Sequence, residues 1–197
     1  MKTRKIHRVI GVILILPFFG WALTGFVFFI KPGYVGAYEI LKVKTYILAS
    51  SPTLTVDPAW SEFRYLRTVL GDHLLVRTQA DWQQLDPVTK QPRAKPSEAE
   101  IRLLLKDAFS ANPSRYGEIV SISDSTARTS TGVQVSLDWT TLTLQQQGTD
   151  TAWIDLLYKI HYLQWTGFKS VDKAIGFVGL ILVMSLTVLG AALALKR

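Results

Sequence analysis

The chain has 197 residues, 48% of them hydrophobic, a formal net charge of +7 and no cysteine. The missing cysteines exclude disulfides, thiolate catalysis, lipid anchoring through Cys and cysteine-ligated metals. The charge would suit nucleic acid, but Lys2, Arg4, Lys5, Arg8, Lys196 and Arg197 sit at the two ends and leave about +1 for everything between, so there is no basic nucleic-acid footprint.

Residues 9–30 form an uncharged apolar run, and a second occupies 174–195. Each is roughly 22 residues long, enough for a helix rising about 1.5 Å per residue to cross a hydrocarbon core of about 30 Å. The first run is too long for the apolar core of a signal peptide. Short flanking segments rich in Lys and Arg stay in the cytoplasm. Residues 1–8 and 196–197 are therefore expected inside, and the stretch between the spans outside. Pro17 predicts a kink in the first span. Gly11, Gly20 and Gly25, with Gly176, Gly179, Gly190 and Ala194, leave room for close helix contact, within the chain or with a second copy. Thr24 and Thr187 can return hydroxyl bonds to their own helices.

Lys31-Pro32-Gly33 breaks the chain after the first span. Three β runs are expected at 63–70, 74–79 and 82–85, with Gly71-Asp72-His73 as a hairpin turn and Asp86-Pro87-Val88-Thr89-Lys90 as a second turn. Ser97 and Glu100 have capping-box spacing and open a helix with Ile101, Leu104, Leu105 and Phe109 on one face, ended by Asn112-Pro113. Further β runs follow at 118–123, 132–138 and 140–145, where Val133, Val135 and Leu137 alternate with polar residues. Residues 31–151 thus read as an α+β domain of antiparallel β meanders around one main helix. Residues 152–173 read as an amphipathic interfacial helix leading into the second span. Its Trp153, Tyr158, Tyr162, Trp165 and Phe168 form an aromatic band suited to the headgroup level of a lipid bilayer and to partner contact.

Lys5-Ile6-His7-Arg8, Gly11 and Leu23-Thr24-Gly25 resemble the opening of PepSY-associated transmembrane proteins, and Ile160-His161-Tyr162, Thr166-Gly167, Gly176 and Thr187 resemble their closing helix. The helix at 97–112 with its strands is similar to a PepSY domain, and Asp86-Pro87-Val88-Thr89 to its strand-ending turn, with Lys90 where Gly is usual. The resemblance implies a bacterial inner-membrane protein with a periplasmic PepSY-like domain between two transmembrane helices. It implies a non-enzymatic binding, regulatory or assembly module working within a larger membrane-protein complex or a homodimer. It also implies an alternative, since larger members include ferrisiderophore reductases: a haem b electron carrier engaged in iron uptake.

Three histidines are present: His7, His73 and His161. His73, in the expected hairpin turn, reads as a solvated side chain. His7 and His161 each stand at a membrane boundary, where imidazole can be an axial haem ligand. They lie at opposite ends of a hydrocarbon core of about 30 Å, so one iron cannot take both from one chain. A twofold dimer could pair like with like. No catalytic residue and no other metal site is expected: there is no phosphate-binding Gly-rich loop, nucleophile elbow or paired-His spacing. Asp81, Asp86 and Glu118 read as solvated carboxylates near turns.

Overall fold

The computed structural model describes residues 2–49, 51–79 and 81–195. The terminal pair Lys196 and Arg197 lies outside them. The element order is α1 (Lys2–Ile30), α2 (Tyr34–Ala37), β1 (Trp60–Thr68), β2 (Gly71–Thr78), β3 (Asp81–Leu85), α3 (Glu98–Phe109), α4 (Pro113–Tyr116), β4 (Ile119–Ser123), β5 (Thr126–Thr129), β6 (Gln134–Asp138), β7 (Thr143–Gln147), α5 (Thr149–His161) and α6 (Lys169–Ala194). Two compact units result: Gly36–Thr149, and Met1–Val35 with Asp150–Arg197.

The first unit is α+β, with two antiparallel sheets in strand orders β1-β2-β3 and β4-β5-β6-β7. The smaller sheet departs from its expected register. Thr68 pairs with Gly71, so the turn is Val69-Leu70 and His73 lies inside β2. The correction has a physical cause. β2 is the middle strand and is covered on both faces: Leu75 joins the main core, whereas Leu74 and Val76 join a smaller cluster with Leu85. Such a strand reads as a continuous apolar run without alternation, and its ends are hard to place.

Helix α3 begins as expected. Ser97 accepts from the Glu100 N–H at its N-terminus, and Glu100 Oε2 accepts from Ser97 N at 2.7 Å. These reciprocal bonds satisfy donors that the first turn would otherwise leave orphaned. Its apolar face (Ile101, Leu104, Leu105, Ala108 and Phe109) enters one core with Ala127, Val135 and Leu137 of the larger sheet. In β6 those inward residues alternate with exposed polar ones, so the other face of this sheet is wet. Strand β5 was not expected. It is reached through Asp124-Ser125, both in the left-handed region (φ 45° and 63°), a two-residue turn that lacks the usual Asn-Gly signal.

The second unit contains two helices, α1 and α6, long and apolar enough to cross a membrane. Phe19, Phe26, Phe177 and Met184 are each more than 60% exposed, and side chains of this kind need an apolar surrounding. The helices run antiparallel. Gly190 faces His7 and Gly11 faces Leu186: a Cβ would stand 3.3 Å from the imidazole at Gly190, a tight fit, and 3.8 Å from Leu186 at Gly11, an ordinary contact. Pro17 lies within α1. The expected interfacial helix is broken: α5 stops at His161, and α6 starts only at Lys169.

Gly117, at the end of α4, has φ +59°, and a Cβ there would collide with the Ser130 side chain, whose Oγ accepts from Glu118 N at 3.0 Å. Gly132 has φ +84° but opens onto free space. Gly117→Ala is expected to lower unfolding free energy by about 2 kcal/mol or more, and Gly132→Ala by about 1 kcal/mol, as read by chemical denaturation of the detergent-solubilised chain.

Candidate functional site

The constellation singled out by its geometry gathers on α1 at Gly20, Trp21, Thr24 and Phe28, spaced along one helix face. The end of α5 docks there. A Cβ on Gly20 would stand 3.4 Å from the Ile160 side chain, at the near edge of ordinary contact, so the small residue marks where α5 packs against α1. Trp21 Nε1 donates to the His161 carbonyl at 2.6 Å. Thr24 Oγ1 lies 2.8 Å from His161 Nδ1 and 2.6 Å from the Gly20 carbonyl. Only the hydroxyl can donate to that carbonyl, so its lone pair accepts from Nδ1–H. This fixes the His161 tautomer and leaves Nε2 with a free lone pair. Phe28 packs edge-on against the imidazole (centroids 5.3 Å apart) and stacks on Tyr158 at 4.7 Å. Tyr162 also packs edge-on against the ring, at 5.4 Å.

The turn after α5 supports this arrangement. Leu163 N donates to Ile160 O and Gln164 N to Lys159 O, the paired bonds of a Schellman cap. Leu163 occupies the left-handed position (φ 56°) where glycine is usual. Its side chain is buried against Gly179, 3.1 Å from where a Cβ would stand, which offsets the strain. Asp172 closes the loop: its Oδ1 accepts from Thr166 N at 2.9 Å and Thr166 Oγ1 at 2.7 Å.

Of the aromatic band, Tyr158 and Tyr162 join the His161 cluster, stacked in parallel 6.0 Å apart. Trp153, Trp165 and Phe168 are about half exposed or more and contribute surface. His7 stands apart. Its Nδ1 is buried without a hydrogen-bond partner, and its ring lies against Gly190. Counted along α1, His7 and the Thr24 that holds His161 are about 25 Å apart. Trp21, Phe28 and Leu163 were not expected at the site. Thr24 was expected only to bond its own helix, which it also does.

No family model, curated protein or solved structure matches this chain.

His73 belongs elsewhere, in the α+β unit, and is fully buried rather than solvated. Gln84 Nε2 donates to Trp139 O at 2.8 Å, which turns Gln84 Oε1 to His73 Nδ1 at 3.0 Å. Nδ1 is therefore the protonated nitrogen, and Nε2 accepts from Thr68 Oγ1 at 2.7 Å. Arg93 donates to Asp72 O at 2.7 Å beside the ring. The neutral imidazole is thus a satisfied core group, held by residues on β1, β2 and β3. Among the described residues no group of His, Asp and Glu is arranged to hold a metal ion.

Burial is the largest influence on His73 and pushes its pKa below 6.5; the Gln84 bond opposes this and the Arg93 charge adds to it. Its proton therefore binds the unfolded chain more readily. The stability that this group contributes is complete above about pH 6.5 and is lost as pH falls toward the folded-state value. Asp86, Glu100 and Asp138 are held below the usual carboxylate range and act only in more acid solution. As pH falls below 6.5 the unfolding free energy should decline, by at most about 1.4 kcal/mol per pH unit for this one group, and His73→Gln should flatten the profile in a denaturation series.

Proposed function

We propose that the protein is a two-span inner-membrane protein holding a PepSY-like domain outside the cytoplasm as a non-enzymatic binding module, with both chain ends inside. The Lys and Arg residues around the apolar runs support the orientation. The order of helix α3 followed by a β meander, with the sequence motifs, supports the PepSY-like reading.

The open edge of β1 carries the binding role. On the side away from β2, Arg67 O accepts from Tyr46 N at 2.8 Å. Alternate residues of an antiparallel strand aim their backbone groups the same way, so Phe63 and Tyr65 present N–H and C=O along this edge. Among the described residues no strand pairs there. Ile47 (93% exposed), Phe63 and Val69 flank it with apolar surface. An unpaired, apolar-flanked edge suits an extended peptide segment of a partner protein, added as a further strand. A photo-crosslinking residue at Ile47 should yield a heavier adduct in irradiated cells, and the same residue at exposed Val88 should not. Phe63→Pro removes a strand donor and should cut the adduct at least about fivefold; an unchanged yield would overturn the reading.

One observation favours a second reading, a haem-bearing electron carrier. The Thr24 bond gives His161 the tautomer and fixed ring expected of a metal-ligating histidine, with Nε2 left to bind. Bound haem supplies one-electron transfer. His161 would hold it through Nε2, and Thr24 would keep the ring oriented. The residues around His7 fit less well, because its buried Nδ1 has no acceptor. Protein purified from haem-replete cells should then show a Soret band that His161→Ala removes and Thr24→Val weakens. A colourless preparation overturns this second reading and leaves the binding module.

A further inference from the structure

Where the chain turns from α5 into α6 there is a cavity of about 620 Å³. Its rim carries Lys159, Lys169 and Lys173, together with Tyr162 and Gln164. Lys159 is already engaged, 2.6 Å from Asp155. Lys169 and Lys173 have no carboxylate within ion-pair distance among the described residues. Asp172 also lines the cavity, but one of its oxygens takes two hydrogen bonds from Thr166, so the carboxylate is committed to fastening the loop. Two uncompensated ammonium groups at one mouth make a site for an anion carrying several oxygens.

The apolar part of the lining selects among such anions. It consists of Gly176 and Phe177, at the start of the apolar run of α6. Phe177, Ile181, Met184 and Val188 follow at intervals of three or four residues and are 47–68% exposed, a continuous apolar stripe descending from the lysines. A ligand that uses both parts is an amphiphile, with its phosphate at the rim and its acyl chains along the stripe. A free phosphate would use the rim alone.

We propose that this cavity binds the phosphate headgroup of an anionic phospholipid, with the acyl chains laid along α6. The inference rests on the reading of α6 as a membrane span. It assigns Lys169 and Lys173 a role apart from topology and apart from the His161 cluster.

The test uses the full chain in nanodiscs of phosphatidylcholine, titrated with phosphatidylglycerol and read by native mass spectrometry of the lipids that stay bound. The wild type should retain phosphatidylglycerol in preference to phosphatidylcholine. Lys169→Gln with Lys173→Gln should weaken that retention by about 30-fold. Lys42→Gln with Lys95→Gln, two exposed lysines of the α+β unit, should leave it within about twofold. The two cavity lysines are exposed, so both variants should melt with the wild type. Equal retention of the two lipids, or equal retention by wild type and the Lys169/Lys173 variant, would overturn the proposal. Displacement of the lipid by an equal concentration of inorganic phosphate would overturn its commitment to a lipid and leave a phosphate site. Failure of the chain to enter the nanodiscs at all would instead overturn the membrane span.

Discussion

The arrangement of the helical unit depends on one polar clamp. Trp21 holds the backbone of His161 and Thr24 holds its side chain, both from α1. The last carbonyls of a helix have no partner within it. The clamp and the cap at Leu163 and Gln164 take up those groups one by one. The imidazole orientation, the stacking of Phe28 on Tyr158 and the docking of Leu163 on Gly179 all follow from α5 ending where it does.

The α+β unit solves a comparable difficulty in the opposite way. His73 is a polar group inside a strand covered on both faces, and it is tolerated because Gln84, Thr68 and the Trp139 carbonyl leave neither ring nitrogen unpaired. Each histidine is held by hydroxyl or amide partners that fix its tautomer. They differ in outcome: at His73 both nitrogens are consumed, whereas at His161 one remains available. Chemistry at an imidazole is open to the second residue and closed to the first.

Features that depend on near neighbours were legible in the sequence. The Ser97–Glu100 capping box, the Asp86 turn and the two apolar runs each announce themselves within a few residues, and each stands as expected. At that turn Lys90, where glycine would be usual, adopts φ 60°. Features that depend on distant partners were not legible. Thr24 and His161 are 137 positions apart, and no periodicity links them. The β2 register was misplaced because its turn, Val69-Leu70, lacks turn-forming residues while the adjacent Gly71-Asp72 has them. The break between α5 and α6 was hidden because leucine rather than glycine takes the left-handed position. At Leu163 burial overrides a local backbone preference of about 1 kcal/mol.

The contacts of Gly190 with His7 and of Gly11 with Leu186 set the vertical offset of the two long helices. Continued along that register, residue 9 stands level with 188 and residue 23 with 174, so the apolar bands at 9–30 and 174–195 are displaced by about seven residues, or about 10 Å. The slab common to both is only about 22 Å deep. A bilayer matched to one helix would therefore be mismatched to the other, a difference accommodated by thinning of the lipid or tilting of the pair. Within the excess apolar length of α1, residues 24–30, α5 meets Thr24 and Phe28 through His161 and Tyr158, whereas Phe26, Phe29 and Ile30 stay exposed.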